Sequence, residues 1–271
     1  MTEQTFERVA AANDDGLDVG FDMHTRPFGE VNLSIALPIW ALAGGTSALE
    51  ARLRDPAERA RIKAYPSTLG HYLADPGPEA LTLAFVRDPA LSGRSLAELT
   101  PPGGDPLDTV LDVLLSEVDE VHRPLVLIWM YPEDDVARFF RHPLCSIASD
   151  ATTLSPDGPL ADAVFHGAYT WAAWYLRRMI QERHELSIEE GIRRVTSLPA
   201  SRIGLADRGV IRPGAWADIT VFDLPNTTER GTVEAPNQLA IGARHVLVNG
   251  RPAIRDGAFD DARHGAVLRS G

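Results

Sequence analysis

Apolar and polar positions fall into two textures along the 271 residues. Up to about residue 205, short apolar runs are separated by stretches with apolar residues at helical spacing. Residues 3–12 and 47–64 read as helices, the second with Arg and Glu on its outer face. LDVGFDM (17–23) reads as a buried strand, and a polar stretch containing Pro and Gly follows at His24–Glu30. TLAF (82–85) and LVLIWM (125–130) are strand candidates, and between them a helix over 106–120 spaces Leu107, Val110, Leu111, Leu114 and Leu115 along one face. After a short helix at 132–141, LCSIAS (144–149) has the pattern of a strand buried on both faces. A long helix over 160–184 follows, then one over 187–196 that opens on the capping pattern Ser187-x-x-Glu190.

Apolar strands alternating with amphipathic helices predict an α/β chain with a parallel sheet or barrel. From about residue 209 the pattern changes. GVIRPGAWADITVFD (209–223) and ARHVLVNGRPAIRDG (243–257) are strand runs punctuated by Gly, Pro and Asn, which predicts a small β module.

Composition narrows the partners. The length and the 44% hydrophobic content suffice for a globular core. No apolar run reaches the roughly 18–20 residues that span a bilayer. The N-terminal residues lack the basic and apolar regions of a secretory signal, so a soluble, cytoplasmic protein is expected, with no membrane partner. A net charge of −12 argues against a nucleic-acid partner, which needs clustered cations against phosphates. The single cysteine, Cys145, excludes an internal disulfide and a Cys-based structural zinc site, and its place in an apolar strand predicts inert core.

The chemistry concentrates after two strands. Asp150 directly follows the 144–149 run, at the end of a parallel strand where barrels hold their active sites. A carboxylate there suits a base that takes a proton from an attacking water, and it equally suits a cap on the next loop. His24 follows the 17–23 strand, as a zinc ligand through neutral imidazole or as a loop histidine bonded to backbone. Arg26 in the same stretch and His166 in HGAYTW are candidates to face substrate, His166 alternatively being a helix-start residue. The other six histidines lie at loop or element ends and are read as structural. Tyr169, Trp171, Trp174 and Tyr175 either line an apolar pocket or form a helix packing face. No G-x-S-x-G, P-loop or dinucleotide motif occurs.

The stretch TSLPASRIGLADRGVIRPGAWADITVFD (196–223), followed by HVLVNG (245–250), resembles the C-terminal signature of the amidohydrolase superfamily. GLDVGFDMHTRPFG (16–29), LPIWALAGG (37–45) and HPLCSIASD (142–150) resemble its N-acyl-D-amino-acid deacylase branch, the D-aminoacylases. The likeness runs over roughly 16–269. It implies the C-terminal part of a metal-dependent (β/α)8 TIM-type barrel, with residues 1–205 as partial barrel carrying an insertion at about 27–120. Residues 206–271 would then be a segment of a composite β-sandwich. It also implies zinc-assisted hydrolysis of an N-acyl amino acid or related amide. Asp150 would be catalytic base and a metal contact, with His24 as a metal ligand and Arg26 and His166 toward substrate. His24 stands where the deacylases commonly have tyrosine, and HGAY replaces their usual His-Pro-Arg loop.

The superfamily places a His-x-His pair on its first barrel strand, and this sequence contains none. The zinc ligand set is therefore expected to be incomplete here. A truncated or split gene product, or a second chain supplying the N-terminal half barrel, is expected, and the isolated chain should bind zinc weakly and lack amidase activity. Two other readings stay open: a dihydroorotase- or hydantoinase-like cyclic amidase, and a non-catalytic remnant serving as a binding or assembly subunit.

Overall fold

The computed structural model describes residues 2–151, 154–260 and 263–268. Among them run nine strands: β1 (Phe21–His24), β2 (Phe28–Asn32), β3 (Leu81–Ala84), β4 (Leu125–Trp129), β5 (Cys145–Ala148), β6 (Ile219–Phe222), β7 (Ala243–Val248), β8 (Arg251–Arg255) and β9 (Ala258–Phe259). They form three sheets, ordered β1-β5, β2-β4-β3 and β6-β7-β8-β9. The chain divides into two compact units, one of Met1–Arg26, Glu133–Gly231 and Asn237–Gly271, the other of Pro27–Pro132 and Thr232–Pro236. The fold is α/β.

The first unit holds the parallel pair β1-β5, in register from Phe21 opposite Cys145 to His24 opposite Ala148. Cys145, Ser146 and Ile147 are all buried, as the two-sided apolar run predicts. The helix Thr2–Asp14 brings Phe6 against Phe21, Phe139 and His142, so an aromatic cluster closes the start of the pair. Beneath β5, Phe140 meets Tyr175 edge to face with ring centres 5.5 Å apart. The Tyr175 hydroxyl donates to the Gly191 carbonyl at 3.2 Å, which satisfies its one buried polar atom.

The predicted helix over 160–184 is shorter than its pattern. Only Trp171–Trp174 is α-helical, and Tyr175–Glu182 continues as a wider π-helix. Residues 166–170 form turns, closed by N–H groups of Ala168, Thr170 and Trp171 bonding to Phe165 and Gly167 carbonyls. Gly167 at φ +102° makes that turn possible, a conformation L side chains rarely adopt. The β module is an antiparallel meander from β6 to β9, turned between β7 and β8 by Asn249 and Gly250 at positive φ.

The second unit carries its own apolar core, including Leu33, Leu53, Leu69, Leu83, Leu111 and Leu114, all fully buried. Its sheet is antiparallel throughout, which corrects the expectation of parallel strands for TLAF and LVLIWM. An apolar run reports burial and not strand direction, and β4 is buried because it is the central strand. The polar stretch after His24 also supplies a strand, β2, in antiparallel register with β4 from Phe28 opposite Trp129 to Asn32 opposite Leu125, with Phe28 against the Trp129 ring and Val31 packed on the core. The helix expected over 47–64 divides at Asp55, whose carboxylate accepts from the Ala57 and Glu58 N–H groups while Pro56 starts the second segment.

Candidate active site

The C-terminal ends of β1 and β5 lie side by side because the two strands are parallel and in register. His24 is the last residue of β1, and Asp150 follows β5 by two positions. Asp150 is exposed and His24 is half-buried. Burial pushes the His24 imidazole below its ordinary pKa, and the nearby Asp150 carboxylate opposes that shift without overcoming it. The ring is therefore neutral at physiological pH. Its Nδ1 accepts the backbone N–H of Arg26 at 3.3 Å, which puts the ring proton on Nε2.

Arg26 points into the first unit. Its Nη2 donates to the Thr170 hydroxyl at 2.6 Å, and the guanidinium carbon lies 5.5 Å from the centre of the Trp174 ring. Its Nε is buried with no hydrogen-bond partner among the described residues. A side chain at Gly167 would bring a Cβ to 3.4 Å from that Nε, an ordinary contact, so the glycine is required by its positive φ and not by the approach of the guanidinium. Desolvation holds the Arg26 pKa below the usual arginine value, with Glu229 raising it and Arg177 lowering it further. Glu229 is in turn gripped at both oxygens by Arg177, at 2.6 and 3.2 Å.

The structure thus brings His24 to Asp150 and Arg26 to the turn that follows His166. His166 is itself buried and engaged within the protein. Thr170, Gly167, Trp174 and Glu229 join this constellation without having been singled out for it. Trp174 and Tyr175 are buried, Trp174 against Arg26 and Tyr175 against Phe140, as a packing face requires. The only sequence signal for Thr170 and Gly167 was their membership of the HGAYTW stretch.

A zinc ion needs three or four donors around one point. Among the described residues no group of three or more His, Cys, Asp or Glu side chains is placed to hold a metal. His24 offers Nε2 to a metal only as the other tautomer, which gives up the Arg26 N–H contact. By themselves the described residues do not fit a zinc site. No helix among them is long and apolar enough to cross a membrane.

A model of the amidohydrolase family matches residues 108–254, and the chain belongs to that family. Within it, the chain is 33% identical over 181 residues to an N-acyl-D-glutamate deacylase of Alcaligenes xylosoxydans xylosoxydans, covering 67% of this chain and 34% of the relative. It is 37% identical over 146 residues to an N-acyl-D-aspartate deacylase of the same organism, covering 54% of this chain and 28% of that one. The chain thus spans about a third of the length of the curated relatives it matches. The crystal structure of N-acyl-D-glutamate deacylase from Bordetella bronchiseptica, complexed with zinc and a phosphonate mimic of the tetrahedral intermediate, matches with TM-score 0.67 at 25% identity. That match covers 99% of this chain and 46% of the other. A crystal structure of D-aminoacylase shares the fold with TM-score 0.66 at 22% identity.

Proposed function

We propose that this chain is the C-terminal part of a metal-dependent amidohydrolase that cleaves the amide bond of an N-acyl-D-amino acid. The observation that carries the reading is the meeting of His24 and Asp150 at the C-terminal ends of one parallel strand pair. In this reading residues 1–205 are part of a (β/α)8 barrel interrupted by an insertion, and residues 206–271 are the β-sandwich segment. The protein is cytoplasmic. The family and the names of the similar deacylases support the substrate class.

Asp150 is the proposed base. An exposed carboxylate beside a neutral imidazole is free to accept a proton from an attacking water and return it to the leaving amine. Arg26 is the proposed substrate-binding cation, its fork suited to a carboxylate, with His166 packing the turn that borders it. The zinc of the similar deacylase implies a metal for the active protein. Of the residues in this chain, His24 and Asp150 are the proposed contributors, and the remaining donors would come from the half barrel that this sequence does not contain, carried on the rest of a longer protein or on a second chain.

The test is reconstitution. The chain alone should show no hydrolysis of N-acetyl-D-glutamate. Co-expression with an N-terminal half barrel from a similar deacylase, in the presence of zinc, should restore turnover. Asp150→Asn in that complex should lower kcat by about 10²-fold or more. Turnover of a dihydropyrimidine ring in preference to the acyl amino acid would instead favour a cyclic amidase. A zinc-loaded complex in which Asp150→Asn changes nothing would sink the assignment.

A further inference from the structure

A second site lies in the β module. A cleft of about 520 Å³ is bounded by the loop Leu205–Trp216, the β7–β8 turn at Asn249 and Arg251, and the C-terminal residues Arg263–Leu268. That size suits a small molecule.

The walls are held in place. Arg208 is ion-paired to Asp218 and donates to Asn249 Oδ1 at 2.8 Å. The Asn249 N–H donates to Asp218 Oδ1 at 2.7 Å, and its side-chain amide donates to the His264 carbonyl at 2.7 Å. The Gly250 N–H closes the turn onto the Ala217 carbonyl at 2.9 Å. One bonded network thus joins all three walls.

Charge is distributed differently from the rest of the molecule. Arg208 is neutralised by Asp218. Arg251 and Arg263 line the cleft, are exposed, and have no ion-pair partner among the described residues. Among the described residues they share it with one carboxylate, Asp207. In a chain of net charge −12, two unpaired guanidinium groups against one acid among the described lining residues make a local excess of positive charge. Such a group binds phosphate or carboxylate oxygens in preference to neutral ligands.

The cleft also has an aromatic wall. Trp216 stays 51% exposed although the Arg208 guanidinium lies 5.1 Å from its ring centre. An indole fixed on one side by a half-buried cation is a ready stacking surface for a flat ring.

We propose that this cleft binds a small organic anion with a planar ring, its charged group paired with Arg251 and Arg263 and its ring stacked on Trp216. The site shares no residue with the constellation around Asp150.

Calorimetry and tryptophan fluorescence on the full chain provide the test, with AMP and 1-naphthoate as ring-bearing anions. Ribose 5-phosphate and adenosine serve as the anion and the ring alone. At least one of the first two should bind, with both halves at least about tenfold weaker. AMP alone binding identifies phosphate as the anion, and naphthoate alone identifies carboxylate. The double variant Arg251→Gln/Arg263→Gln should lose about tenfold in affinity with an unchanged circular dichroism spectrum. Trp216→Leu should abolish the fluorescence response and weaken binding in calorimetry. The proposal is overturned if neither ring-bearing anion binds at millimolar concentration. It is equally overturned if ribose 5-phosphate binds as tightly as AMP, or if the double variant binds unchanged.

Discussion

Arg194, only 2% exposed, donates through Nη1 to the Cys145 carbonyl at 2.8 Å and through Nε to Glu190 Oε1 at 2.5 Å. The same Nη1 also meets the His142 carbonyl. One guanidinium thus ties the helix Ile188–Val195 to the start of β5, the strand that delivers Asp150. Replacing it by methionine keeps most of the volume but leaves two strand-entry carbonyls without their charged donor. Glu190 keeps Arg193 as a partner, so no isolated charge is stranded. Arg194→Met is therefore expected to cost about 2–3 kcal/mol, the range for lost hydrogen bonds to a charged group. The urea midpoint should fall with the m-value unchanged.

The same pair makes stability depend on pH. Arg193 and then Arg194 hold the Glu190 carboxyl at about 2, below the range of an unfolded chain. A depressed acid stabilises the folded state fully above its unfolded pKa of roughly 4.3 and loses that contribution as pH falls toward 2. Glu190 and Arg193 are each about a third exposed, so solvent screening reduces the effect to on the order of 1 kcal/mol. Urea midpoints between pH 5 and pH 2 should decline less steeply in Glu190→Gln than in the native chain. Parallel slopes would mean that the pair is not coupled to folding.

What could be read from residues alone follows a physical division. β5 was legible because the six apolar or small residues 144–149 before an acid have few other uses. Its parallel partner was legible only in part: the run 17–23 reads as a buried strand, but β1 starts at Phe21, keeps Asp22 exposed and is only half-buried, and Leu17 is exposed. Asp150 inherited its position from β5. The turn at Gly167 and Thr170 was hidden, because its purpose is a contact with Arg26 some 140 positions away, and spacing carries no signal for that. The helix expected over 160–184 failed at its start for a related reason: its apolar residues do pack, but as turns and a π-helix shaped around the core. Strand direction in the second unit was hidden too, since central strands of either kind are apolar throughout.

Cys145 is buried at the start of β5, and burial pushes its thiol up to about 12. At pH 8 almost none is thiolate, and the sulfur is shielded from solvent. The native chain should therefore react with a disulfide reagent only through opening of the structure, at a rate that rises with urea. Arg194→Met, which loosens the carbonyl of this very residue, should speed the reaction by about the factor that its stability loss dictates, roughly tenfold per 1.4 kcal/mol. Immediate labelling of native protein at pH 8 would show that the strand is open to solvent.

Gly167 tests the Arg26 constellation without touching a charge. Its φ of +102° is strained for any L side chain, which costs roughly 1–3 kcal/mol. At 3.4 Å from Arg26 Nε, the new Cβ of Gly167→Ala makes ordinary contact, so the guanidinium is not expelled. It does cover the one buried nitrogen of Arg26 that has no partner among the described residues. Two effects should separate. The melting temperature should fall, and in the reconstituted enzyme KM for N-acetyl-D-glutamate should rise more than kcat falls, because Arg26 acts on binding. Arg26→Lys should reproduce the KM effect with little loss of stability, since it keeps the charge and loses the fork. If Gly167→Ala lowers the melting temperature and leaves KM unchanged, the turn serves the fold alone and Arg26 is not a substrate contact.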